Sequence, residues 1–138
     1  MRFRAYLFDV QGTLLDFFNP VSAAVAYYLE ANEITGVDAG DFTRRWRQSY
    51  FQRIRSIPQS IDQWRPVQAE YQAGFVEVCL HYGLPRPDHA AVEAVAGSWR
   101  HLEPWPDVRA GMARIRENAI TATLSNTDMN TAIALFKG

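Results

Sequence analysis

One carboxylate is singled out by its surroundings. Asp9 follows the apolar run Tyr6-Leu7-Phe8, and Gly12 and Thr13 follow within four residues. A short apolar run ended by a polar loop with glycine predicts a buried strand. Asp9 then sits at the carboxyl end of that strand, where open α/β sheets bind their ligands. A carboxylate there, with a glycine that lets backbone approach a ligand, suits a nucleophile or a metal ligand. A second polar pair, Ser125-Asn126, ends the run Ala119–Leu124 just ahead of a helical pattern. A hydroxyl and N–H groups at a helix N-terminus make an anion site. The same two residues can equally cap that helix. The segment Asp41–Ile57 brings positive charge: Arg44, Arg45, Arg47, Arg53 and Arg55. Its bland reading is a solvated basic face. His81, His89 and His101 lack the spacing of a metal site, and Cys79 reads as a small core residue.

The elements that must hold these residues follow from periodicity. Pro20–Glu33 carries Val21, Ala24, Val25, Tyr28 and Leu29 at helical spacing, with Asn19 as the expected N-cap. Asp41–Ile57 places Phe42, Trp46, Tyr50, Ile54 and Ile57 on one stripe, with Asp41 as cap and Pro58 as stop. Asp62–Tyr82 is a third helix, ended by Gly83 and Pro85, and Asp88–Trp99 a fourth. The pattern then returns to helix (Val108–Asn118), strand (Ala119–Leu124) and helix (Thr127–Phe136). One strand, a helical bundle, then helix, strand and helix describe an α/β core with a helical cap inserted after the first strand. The division is 1–16 and 101–138 for the core and 17–100 for the cap.

Composition narrows the class. Fourteen basic against fifteen acidic residues leave a net charge of -1, so no basic excess points to nucleic acid or an anionic membrane. One cysteine excludes an internal disulfide and a Cys-rich zinc site. No apolar run is long enough to span a bilayer. A soluble protein of a reducing compartment, the cytoplasm, is expected, acting on a small molecule.

The stretch Asp9-Val10-Gln11-Gly12-Thr13-Leu14 resembles the first motif of the haloacid dehalogenase superfamily, D-x-D-G-T-L. In the phosphatases of that superfamily the second Asp is the general acid/base, with magnesium nearby. Gln11 stands in its place, and an amide neither exchanges a proton near neutral pH nor gives a metal negative charge. The 2-haloacid dehalogenases of the superfamily also lack that Asp. Their halide leaves as an anion and needs no proton. Leu124-Ser125-Asn126 resembles their second motif, L-S-N, and Trp46-Arg47-Gln48 resembles their W-R-Q. Trp64, in Asp62-Gln63-Trp64, matches one member of their aromatic pair beside the halide; Gln63 replaces the other. Leu102–Asp107 resembles their stiff re-entry from cap to core.

The resemblance implies a metal-free and cofactor-free displacement. Asp9 is the implied nucleophile on C2 of a short 2-haloalkanoate, and water then hydrolyses the ester to a 2-hydroxy acid. Arg47 and Asn126 hold the departing halide. Ser125 and Thr13 attend the carboxylates, and Gln11 and Trp64 line the substrate. Homodimers are implied as well. A phosphatase with magnesium is the alternative in the same superfamily. A non-catalytic remnant, associating through Phe42, Trp46 and Tyr50, is the alternative outside enzymes. The resemblance also implies a third motif with a Lys and a fourth with an Asp, neither of which occurs after Asn126. Two strands make a poor sheet. Truncation, a sheet completed by another chain, and a separate missing piece all fit, and weak or no turnover is expected of these 138 residues alone.

Overall fold

A computed structural model describes residues 5–56 and 65–137. The chain is α/β. Strand β1 (Ala5–Phe8) pairs in parallel with β4 (Ile120–Thr123), Phe8 opposite Thr123. The ladder runs one step further, Leu124 N–H donating to the Phe8 carbonyl at 2.8 Å. A second pair, β2 (Leu15–Asp16) with β3 (Glu103–Pro104), is antiparallel. The chain leaves for the helices just after β2 and returns just before β3, so the two crossings lie side by side. The stiff re-entry segment thus becomes a clamp, with Trp105 N–H also donating to the Leu14 carbonyl at 3.1 Å.

Between the crossings lie α1 (Phe18–Ala31), α2 (Ala39–Ser56), α3 (Val67–His81) and α4 (His89–Gly97), followed by a short 3-10 turn, Ser98–Arg100. Consecutive helices pack against each other, as short connections dictate. Their stripes meet in one aromatic core. Phe42, Trp46, Tyr71, Phe75 and Trp99 are fully buried and Tyr50 nearly so. The stripe of α2 is therefore internal, which overturns the alternative of an association surface through Phe42, Trp46 and Tyr50. Gly74 is what lets α3 approach: a Cβ there would meet the Trp46 ring at 3.1 Å.

Several helix starts differ from those read in sequence. Asp16, not Asn19, caps α1: its carboxylate accepts from Phe18 N–H at 2.8 Å and from Asn19 N–H at 3.2 Å. Asp38, not Asp41, holds the start of α2, accepting from Asp41 N–H at 2.7 Å. Asp41 lies inside the first turn and pairs with Arg44. A carboxylate must precede the free N–H groups to cap them, and in each case the acidic residue a few positions earlier does so. Asp88 caps α4 as expected. The third helix begins at Val67, not at Asp62: Pro66 precedes it in an extended conformation at ψ 134°, so the helix starts after the proline. Ile57 and residues 58–64 lie outside the described residues.

Helix α5 (Val108–Arg116) and α6 (Met129–Phe136) complete the chain. The strand layer is less covered than a buried β1 would require: Leu7, Ile120 and Leu124 are 62%, 69% and 69% exposed. Among the described residues each parallel strand has one neighbour.

Candidate active site

Asp9 emerges from β1 into a tight loop. Val10, 1% exposed, anchors it, and its carbonyl accepts from both Leu14 N–H and Leu15 N–H. Gly12 turns the loop at φ +94°, and a Cβ there would press on the Phe17 ring at 3.3 Å. Only glycine meets both demands. The turn brings Thr13 back over Asp9, its hydroxyl donating to Asp9 Oδ2 at 3.0 Å. Asp9 is exposed, and Thr13 is its one side-chain hydrogen-bond partner among the described residues.

Gln11 points the other way, into the helical part, and is buried. Its Oε1 accepts from Arg47 Nη1 at 3.0 Å and from the Tyr71 hydroxyl at 2.6 Å. Its carbonyl oxygen accepts from Arg47 Nη2 at 3.2 Å. A guanidinium only donates, so the atom facing it must be the amide oxygen. Arg47 itself sits among rings: its guanidinium carbon lies 4.5 Å from the Phe51 centroid, 4.8 Å from Phe17, 5.2 Å from Trp99 and 5.3 Å from Tyr50. Ring faces stabilise a cation without neutralising it. No carboxylate pairs with Arg47 among the described residues, whereas Arg44 and Arg53 of the same helix do have acidic partners. Arg47 thus differs from Arg44 and Arg53, which are paired with carboxylates, in being held by an amide and by rings.

Strand pairing brings the second motif alongside. Phe8 pairs with Thr123, so Asp9 and Leu124-Ser125 leave adjacent strands together. The Ser125 hydroxyl lies 3.1 Å from that of Thr127 and accepts weakly from Thr127 N–H at 3.4 Å. Neither Ser125 nor Asn126 caps α6. Asp128 does, accepting from Thr131 N–H at 2.8 Å, which leaves Asn126 exposed at the mouth of the strands. Asp128 also accepts from Gln68 N–H of α3 at 3.2 Å, tying the helical part to α6. Burial works against its charge, but these N–H donors and Arg100 outweigh it and hold its carboxyl below the usual value of 3.8. Trp64 lies outside the described residues.

Tyr50, Tyr71 and Trp99 are the members of this site that the sequence reading passed over. Tyr71 stacks between Tyr50 (4.4 Å between centroids) and Trp99 (4.3 Å). Burial raises the hydroxyl of Tyr71 well above its ordinary range, and burial also raises that of Tyr50, which lies in the fields of both Arg47 and Asp9. Both stay protonated donors. In sequence they read as stripe residues, and so they are; the available signal was a phenol rather than a phenyl at a core position.

The assembled geometry offers an open carboxylate, an unneutralised cation and a hydroxyl-bearing strand end within one region. That set can attack an electrophile attached to an anionic group and receive the anion that leaves. Comparison with known proteins gives the family. A family model described as haloacid dehalogenase-like hydrolase matches residues 3–138. Among solved structures, a defluorinating L-2-haloacid dehalogenase superposes with a TM-score of 0.86 at 28% identity, covering 97% of this chain and 55% of that one. A second L-2-haloacid dehalogenase gives 0.80 at 27%, covering 97% and 57%. The L-2-haloacid dehalogenase of Xanthobacter autotrophicus gives 0.77 at 22%, covering 99% and 51%, a likeness of fold. The chain thus spans little more than half the length of these structures. No curated protein matches it in sequence. On the family match over nearly its whole length, the chain belongs to the haloacid dehalogenase-like hydrolases.

Proposed function

We propose that the protein to which these residues belong hydrolyses short 2-haloalkanoic acids to 2-hydroxy acids, without metal or cofactor. The observation that carries this reading is Arg47: a cation held among rings, tied to the residue two beyond Asp9, and free of any described carboxylate. In the proposed reaction Asp9 Oδ attacks C2 of the substrate. The C–halogen bond breaks as the new C–O bond forms, and the halide leaves with the bonding pair toward Arg47 and Asn126. Water then attacks the ester carbonyl, restoring Asp9 and releasing the 2-hydroxy acid and a proton. Ser125 and Thr13 attend the carboxylates. No proton need reach the leaving group, which suits an amide at position 11. The dehalogenases among the similar structures support the same substrate class.

The domain division at 16 and 101, a homodimeric state and a cytoplasmic location belong to this proposal. So does a remainder of the enzyme that supplies a Lys and an acidic residue and covers the open strands. No helix among the described residues is long and apolar enough to cross a membrane. The phosphatase reading would require an oxygen donor for magnesium at position 11. Gln11 Oε1 is already taken by Arg47 and Tyr71, which favours the dehalogenase.

The test is chloride release from L-2-chloropropionate by the whole protein to which these residues belong, as wild type and as Asp9→Asn. Release by wild type and none by the variant is expected. Equal release by both would remove Asp9 from the mechanism, and turnover of phosphate esters that requires magnesium would favour the alternative.

A further inference from the structure

Resting on that reading, we infer that Tyr71 is a positioning residue for the anion site, acting on Arg47 through Gln11. Three groups close a triangle. The Tyr71 hydroxyl donates to Gln11 Oε1 at 2.6 Å, Arg47 Nη1 donates to the same oxygen at 3.0 Å, and Arg47 Nη1 also approaches the Tyr71 oxygen at 3.3 Å. Every atom's role in it is fixed. Arg47 can only donate, so both oxygens face it as acceptors, and the tyrosine proton must point to the amide. The Tyr71 ring cannot shift to relax this arrangement: it is fully buried and lies between Tyr50 and Trp99, its plane 18° and 7° from theirs.

The triangle has two consequences for an incoming anion. First, it fixes the guanidinium. A guanidinium has five N–H groups, and among the described residues Arg47 makes two hydrogen bonds from Nη1 and one from Nη2. Nε–H and one Nη2 proton have no hydrogen-bond partner among the described residues, and their direction is set. Second, it fixes the amide. With Oε1 doubly engaged, Gln11 Nε2 is turned away from Tyr71, buried, and without a hydrogen-bond partner among the described residues. A buried amide donor with nothing to bond costs free energy, and an anion beside Arg47 would satisfy it. Tyr71 therefore sets the direction of two donors without touching the substrate. The ligand class is a small anion, a halide or the carboxylate end of a 2-substituted acid.

Bromide affinity, read from bromide NMR line broadening, tests this independently of turnover. Chloride release from L-2-chloropropionate is followed in parallel. Tyr71→Phe should weaken bromide binding about tenfold, the worth of one hydrogen bond to a charged site. It should lower kcat more than it raises KM, because the guanidinium acts on the leaving halide. Gln11→Met keeps the stacked core untouched and should weaken bromide similarly, which decides the matter if Tyr71→Phe does not fold. Wild-type bromide affinity in both single variants, or a wild type that binds no bromide, overturns the inference. Bromide binding through Tyr71 by the whole wild-type protein, without chloride release, overturns the dehalogenase reading instead.

Discussion

The helical part and the strand layer are built to different standards. The helices bury their own aromatic rings to completion: Trp46, Tyr71, Phe75 and Trp99 are inaccessible, and their rings touch in tilted, edge-on and stacked pairs. The strands leave Leu7, Ile120 and Leu124 more than half exposed. The nucleophile belongs to the poorly covered layer and the anion-binding cation to the well-packed one. The contrast suggests a division of labour, in which the rigid bundle holds a charge in place for chemistry that happens at the strand ends.

The largest effect expected from this contrast is on stability. Trp46→Ala should cost about 3–5 kcal/mol, since it empties a packed site and strands the partner of its indole N–H, the Tyr71 carbonyl. Leu7→Ala should stay within about 0.5 kcal/mol, as exposed positions do. Urea unfolding of the two variants compares them directly, and equal costs would break the contrast. Next in size is the charge that the bundle lends to the strands. Arg47→Ala should lower chloride release about 100-fold or more, the usual penalty for losing a donor to a developing anion. Arg44→Ala, whose partner is the exposed Asp41, should leave it unchanged.

A smaller effect concerns the tie between the two parts. Asp88 caps one helix, whereas Asp128 caps α6 and also holds α3. Asp128→Ala should cost about 2 kcal/mol against about 1 kcal/mol for Asp88→Ala. The carboxyl of Asp128 is lowered on folding, so its contribution is present above the unfolded value of 3.8 and is lost as pH falls through the folded one. Thermal midpoints across that acid range should fall less steeply in Asp128→Asn than in wild type. The smallest effect is at the alkaline end. Burial raises the Cys79 thiol from 9.0 to about 11 and the Tyr28 hydroxyl from 10.0 to about 12. Their neutral forms stabilise the bundle fully below 9.0, and that contribution is lost as pH rises through about 11 and 12. Near-ultraviolet circular dichroism should report loss of aromatic packing there.

Much of this was readable from the residues. The stripes Val21-Val25-Tyr28 and Phe42-Trp46-Tyr50 predict helices and their buried faces correctly, because period and burial are one signal. The caps were misplaced by three residues at Asn19 and Asp41, because residues able to cap lie both before and within those first turns and only geometry says which one faces the free N–H groups. The clamp of Leu15–Asp16 on Glu103–Pro104 could not be read at all: two residues per strand show no alternation. Among the site residues, Asp9 was marked by its glycine loop, while Arg47 stood out from its neighbouring arginines only through the motif Trp46-Arg47-Gln48. Tyr71 was hidden by its own ring, which satisfies the helical stripe; a phenol in place of a phenyl at that core position was its one signal.

The central claim is that Asp9 becomes covalently linked to its substrate. Mass spectrometry of peptides after brief acid quenching with L-2-chloropropionate tests it most directly. The account predicts a 1-carboxyethyl ester adduct (O–CH(CH3)–COOH) on the peptide containing Asp9, absent in Asp9→Asn and diminished in Arg47→Ala. Chloride release with no adduct on Asp9, or an adduct on another carboxylate, would contradict it.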